Sequence, residues 1–206
     1  MARESTARQK LVDAALSLVR TKGYAATSVD ELCARAGVTK GAFFHHFANK
    51  DALAVAAAEH WSEMTGALFR DAPYHRHRDP LDRVLAYLDF RKSLLKGAVP
   101  DFTCLVGTMV QEVYATHPDI RAACDASISG HAATLEADIA EAMKLYGVTS
   151  FTAASLALHT QAVLQGAFIL AKAKGGPRIA AASIDHLRRY IELLFQPKDH
   201  KGRTRQ

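Results

Sequence analysis

Residues 27–50, TSVDELCARAGVTKGAFFHHFANK, read as two short helices folded about Gly37. Ser28 and Glu31 have the spacing of a capping box: the hydroxyl accepts from the backbone N–H three residues on, and the carboxylate reaches back. Val29, Leu32, Cys33 and Ala36 recur at helical spacing and form one apolar face. Gly37 supplies the left-handed cap that turns the chain. Thr39 is placed to cap a second helix, whose exposed side carries Lys40, Gly41, Ala42 and His45. Small residues let such a helix approach the major groove closely, and a few long donors reach base edges and phosphates. The segment therefore predicts a helix-turn-helix DNA-binding head.

The run from Ala34 to Leu53, ARAGVTKGAFFHHFANKDAL, resembles the signature of the TetR family of transcriptional regulators. So does the helix before it, with Gly23 and Tyr24 ahead of Thr27 and Ser28. The likeness covers roughly residues 6–53. It implies a homodimer whose last two long helices pack into a four-helix interface. It also implies a small organic effector held in the helical body. Thr27, Ser28, Thr39 and Lys50 are similar to the family's phosphate-contacting positions. Lys40 is the first candidate for a base edge, donating to guanine O6 or N7. Gly41 lets the backbone lie close to the groove, and His45 reaches a base or a phosphate. Two departures stand out: Phe44 has no hydroxyl to offer a phosphate, and His45 replaces a second common aromatic. Phe43 and Phe47 are expected in the core, whereas His46 is open between phosphate contact and packing. A dimer places two heads about 34–36 Å apart or a multiple of this, so the operator in double-stranded DNA is expected to be palindromic.

Charge supports a polyanionic partner. Residues 1–50 hold eight Lys/Arg against four Asp/Glu, and residues 51–196 fourteen against sixteen. The last ten hold four against one, so the basic excess lies on the head and the tail, 197–206, which reads as a disordered solubilising end. Arg3, Arg8 and Lys10 are further candidates for phosphate contact. The N-terminus has no apolar stretch of a secretory signal, and no uninterrupted apolar segment is long enough to span a bilayer. Three cysteines without metal-type spacing do not make a disulfide framework. A cytoplasmic, reduced protein without cofactor or metal is expected.

Helical periodicity and breakers predict an all-α chain of about nine helices. A head (1–50) holds three, and a connector helix (51–72) begins near Lys50 and reaches about Phe69. The segment DAPYHRHRDP is read as a loop. The ligand-binding and dimerisation body (73–196) has helices over 80–96, 101–116, 118–146, from Thr149 or Ser150 to Lys174, and over 179–195. In the first of the last two, Ala157, Ala162, Gly166 and Ala167 are small enough for close helix contact across a dimer.

Trp61, Phe102, Cys104, Met109, Tyr114, His131, His159 and Phe168 are the candidate effector contacts, aromatic or apolar with a few polar handles. Cys104 lies near the expected start of a helix, a setting that can activate a thiol, so a redox or electrophile sensor is an alternative. Cys33 is expected in the head core, and Cys124 has no evident partner. No phosphate loop, nucleophile motif or paired carboxylates suggest an enzyme, and His75-x-His77 in its charged loop is a weak metal pair. The chain is read as a ligand-responsive repressor, with a non-repressing DNA-binding activator as the other alternative.

Overall fold

Short polar side chains open each helix of the head. In the computed structural model, which describes residues 6–196, Thr6 Oγ1 accepts from the Gln9 N–H (3.3 Å) to start α1 (Ala7–Lys22). Ser28 and Glu31 close a reciprocal capping box on α2 (Val29–Ala36). Thr39 caps α3 (Lys40–His46), and Asn49 caps α4 (Lys50–Arg70). Gly37, at φ +65°, is the left-handed residue between α2 and α3. Arg3 and the tail 197–206 lie outside the described residues.

The body holds a 3-10 turn at Pro73–Arg76, α5 (Pro80–Ser93), α6 (Val99–Phe102), α7 (Leu105–Val113), α8 (Pro118–Tyr146), α9 (Ala153–Lys174) and α10 (Arg178–Leu194). The described residues thus form ten α-helices and no strand, one helix more than the sequence predicts. The difference is local: the helix expected over 101–116 is split at Thr103, whose backbone is extended (ψ 157°). The Asp101 carboxylate accepts from the Ala98 N–H (2.8 Å) to hold the single turn of α6, and Cys104 then caps α7. Pro118 and Gly147 bound α8 as expected, whereas α9 starts at Ala153, capped by Thr152, whose hydroxyl accepts from the Ser155 N–H. The loop after α4 is anchored, because Tyr74 is buried against Tyr87 and Phe90.

Two cores organise the chain. The first joins α1–α3 (including Cys33) to the start of α4, and continues without a break into Leu105, Val106, Met109 and Val113 of α7 and Ile120 and Cys124 of α8. The second fills the space between α5, α8, α9 and α10. The connector α4 runs through both, with Leu53 and Ala57 in the first core and Phe69 in the second. Helix α9 is long and apolar enough to cross a membrane, with a mean hydropathy of 1.3 over its best 18 residues, which qualifies the sequence reading. Its apolar run is interrupted by His159, Gln161 and Gln165, and Leu156, Leu164 and Phe168 turn inward.

Candidate nucleic-acid interface and body cavity

The outer face of the head is built around α3. Phe43 and Phe47 are buried and pull the short helix onto α1, which leaves Lys40, Gly41, Phe44, His45 and His46 facing outward. Nothing but the Thr39 hydroxyl, at 3.7 Å, would meet a side chain at Gly41, so this face is open. The rings of His45 and His46 meet edge to face at 4.9 Å, and Phe44 is 56% exposed, an unusual position for an aromatic that has no partner beyond Phe43. Lys40 Nζ pairs with Asp30 at 2.7 Å, and this hydrogen bond raises the lysine's pKa. Both side chains are exposed, so solvent screens the pair and it holds the lysine only weakly. At the base of α2, the Lys22 and Ser28 hydrogen bonds hold the Glu31 carboxyl down at about 2.

Two of the expected phosphate contacts are otherwise engaged. Thr27 is buried: its hydroxyl donates to the Gly23 carbonyl (2.7 Å) and its N–H to the Tyr24 carbonyl (3.1 Å). Its role is to close the α1–α2 turn, which corrects the sequence reading. Lys50 lies over the Tyr24 ring at 4.1 Å and donates to the Tyr24 and Thr27 carbonyls at 3.1 and 3.0 Å. It braces the same turn from beneath. Ser28 and Thr39 are exposed caps at the mouth of the head, and Arg8 lies over the Phe47 ring at 5.4 Å.

The rear of the head is tied to the body at three points. Glu112 of α7 accepts from the Tyr24 N–H (3.1 Å) and the Ala25 N–H (2.8 Å). The His117 ring meets Tyr24 edge-on at 5.6 Å. Arg20, near the end of α1, donates to the Thr103 carbonyl (3.2 Å) and stacks over Trp61 at 5.0 Å. Sequence reasoning missed Glu112, since a carboxylate on an exposed helix face carries no signal of its distant partners.

Trp61 and Cys104 also form part of the wall of a cavity of about 70 Å³ in the body. Phe69, Phe102, Phe168, Leu94, Leu95 and Val106 supply apolar surface, and Arg91, Ser127, His131, Gln161 and Gln165 supply polar groups. Tyr87, fully buried, is bonded to His131 Nε2 (3.0 Å) and accepts from Gln161 Nε2 (3.2 Å). Burial and then the charge of Arg91 lower the His131 pKa to about 4, so the imidazole is neutral. Cys104 Sγ accepts from the Gly107 N–H at 3.4 Å.

Five of the eight candidate effector residues therefore meet in one place: Trp61, Phe102, Cys104, His131 and Phe168. The other three are corrections. Met109 is fully buried in the first core behind the head, because α7 turns that face toward α1. Tyr114 is 61% exposed, since α7 ends one residue before it. His159 lies on the outer face of α9 against Tyr190, with ring centroids 5.3 Å apart. Arg91 was legible in retrospect: seven residues after Val84, it is a basic residue on the apolar stripe of α5. Ala157 and Ala167 turn inward and pack within the chain; Ala162 remains outward and Gly166 half-buried.

Comparison with known proteins agrees with this division. Residues 11–57 match the model of bacterial regulatory proteins of the tetR family, and residues 80–179 match the C-terminal domain of LmrA/YxaF-like transcriptional regulators. The transcriptional regulator AcuR of Cereibacter sphaeroides is 33% identical over 119 residues, 58% of this chain and 54% of AcuR, so the match spans about half of that relative. A regulatory protein TetR from Rhodobacter sphaeroides, 26% identical, superimposes with a TM-score of 0.77 over 90% of this chain and 99% of that one. CifR, solved with a 26-bp double-stranded operator, shares the fold at 17% identity, with a TM-score of 0.75 over 92% of this chain and 98% of CifR. A head and a body each recognised as parts of such regulators, on a fold shared across nine-tenths of the chain, make this protein a DNA-binding transcriptional regulator of the TetR family.

Proposed function

We propose that the chain is a cytoplasmic, dimeric repressor that leaves a palindromic operator when a small molecule enters the body cavity. One observation carries this reading: the rear of the head is fastened to the wall of the cavity. Arg20 holds the Trp61 ring and the Thr103 carbonyl, and Cys104, the next residue, caps the helix that carries Glu112. A ligand that displaces Trp61 or Cys104 changes the seat of the head. Its differential affinity for the two seats sets the size of the switch, typically about 1–3 kcal/mol in such couplings. The complex of CifR with operator DNA supports the same use of the fold.

The dimer surface is the outer stripe of α9 and α10. Leu158, Ile169, Leu170, Tyr190 and Leu193 are all exposed, together with Ala162, on the outer faces of these two helices. Lys40 reads the base edge, with Gly41 allowing close approach and Ser28, Thr39, His45 and His46 on the flanking phosphates. Selection of genomic fragments by purified protein, with wild type and Lys40→Ala, tests the assignment. A short palindrome lost in the variant is expected; binding without a motif, or motif binding indifferent to Lys40, overturns the choice of reading residue. A reporter driven from that palindrome then separates repression from activation. The place of Cys104 in the cavity wall favours a second reading, an electrophile or redox sensor. Operator release by a thiol alkylator in wild type but not in Cys104→Ser supports it, and equal release in both excludes it.

A further inference from the structure

We infer that the cavity binds a small organic monoanion, a carboxylate with a short apolar body, through Arg91. The inference rests on the cavity being the effector site. Arg91 lies between two cavity walls, its guanidinium 5.1 Å from the Phe69 ring centroid and 5.6 Å from that of Phe168. Among the described residues it makes no ion pair and no side-chain hydrogen bond, and no aspartate or glutamate lines the cavity. The other arginines of the body with structural roles differ: Arg83 has Asp138 and Glu141, and Arg188 has Asp89 and Glu192. A cation held over two rings in a partly desolvated site, without a counter-ion, lacks the partner that such a group ordinarily has.

The neighbouring hydrogen bonds add a second donor. Tyr87 is fully buried and already accepts from Gln161, so its own hydroxyl proton needs an acceptor. His131 Nε2, at 3.0 Å, is that acceptor, which places the proton of the neutral imidazole on Nδ1. Nδ1 has no partner among the described residues. It is also not among the wholly buried unpartnered atoms, of which Thr103 Oγ1 is the one found among the described residues. His131 lines the cavity, so this N–H opens into it. Two donors, the Arg91 guanidinium and this imidazole N–H, therefore stand at a cavity that no carboxylate lines.

The form of the anion follows from the geometry. The planar guanidinium matches a carboxylate through two parallel hydrogen bonds. A single cation beside a neutral imidazole balances one negative charge, which disfavours a dianionic phosphate. The volume, about 70 Å³, is on the order of half that of the apolar cavity that accommodates benzene in a well-studied case, so the ligand is small. Leu94, Leu95, Phe102 and Val106 receive its apolar end.

Calorimetry and thermal shift with acetate, propionate and butyrate, each against its neutral amide, test the proposal. At least one carboxylate is expected to bind one per chain and raise Tm, with its amide at least tenfold weaker. Arg91→Gln is expected to lose at least tenfold in affinity, and Arg91→Lys to retain part of it. Equal binding of acid and amide, no binding of any of the three acids, or full affinity in a folded Arg91→Gln variant overturns the assignment. Should Arg91→Gln fail to fold, the acid–amide comparison in wild type remains decisive. A carboxylate that binds through Arg91 yet leaves operator affinity unchanged keeps the anion site and removes the effector reading.

Discussion

Glu112→Ala isolates the joint between head and body. The carboxylate accepts from two backbone N–H groups, those of Tyr24 at 3.1 Å and Ala25 at 2.8 Å. Tyr24 is 4% exposed, so its amide left without a partner costs about 1–3 kcal/mol. Ala25 is exposed and regains water, which limits its loss to about 0.5–1 kcal/mol. Because Glu112 itself is exposed, solvent screening places the total near the low end, about 2 kcal/mol. That corresponds to about a 30-fold change in a local opening equilibrium. Native-state hydrogen exchange reads it directly. The Tyr24 and Ala25 amides are expected to exchange about 30-fold faster in the variant, while protected amides of α5 and α10 keep their rates. Glu112→Gln, which retains one acceptor oxygen, falls between. Unchanged exchange at both positions would refute the latch. Uniform acceleration throughout the chain would equally refute it, because the residue would then be a global stabiliser and not a joint.

Gly23 faces the same carboxylate. It sits at φ +92° and ψ 165°, a region essentially confined to glycine, and a Cβ there would lie 2.5 Å from Glu112 Oε1. Gly23→Ala is expected to cost about 1–3 kcal/mol in urea unfolding, with the latch displaced as well. Gly37→Ala, at φ +65° with open space around it, is the control for backbone strain alone, and an equal loss in both variants contradicts the steric account. His131 gives the pH prediction. Its folded pKa is about 4 against an ordinary 6.5, so between these values the unfolded chain takes up a proton that the native state refuses. Stability therefore falls as pH drops from about 6.5 to 4, by at most about 3 kcal/mol, and the contribution is constant below that window. Denaturation midpoints measured across that range in wild type and His131→Gln check the sign: the variant is expected to have the shallower dependence.

The head was legible because its signals are local. Ser28, Glu31, Gly37 and Thr39 act on atoms three or four residues away, so the sequence alone determines the caps, the turn and the outward face of α3. Pro118 and Gly147 set the bounds of α8 for the same reason. The all-α class followed from hydrophobic periodicity, which needs no knowledge of neighbours. Where a side chain answered to something distant, the sequence was silent or misleading. Thr27 and Lys50 carry donors that suit a phosphate, yet both turn to carbonyls in the adjacent turn. Met109, Tyr114 and His159 have cavity-like chemistry, but the rotation of α7 and α9 about their axes sends them to the core, to solvent and to the outer face.

Thr103 shows how small the deciding difference can be: one extended residue splits a helix, sets Cys104 at the cavity wall and offers its carbonyl to Arg20. Sequence by itself determined the all-α class and most helix bounds, how the head is capped and that it binds DNA. Only the tertiary structure decided which side chains share the cavity, that Arg91 stands there without a counter-ion, and that Glu112 ties α7 to the head. Capping and periodicity act within a turn or two of chain. The cavity joins residues from Trp61 to Phe168, and the latch joins residues 88 positions apart; packing alone brings them together.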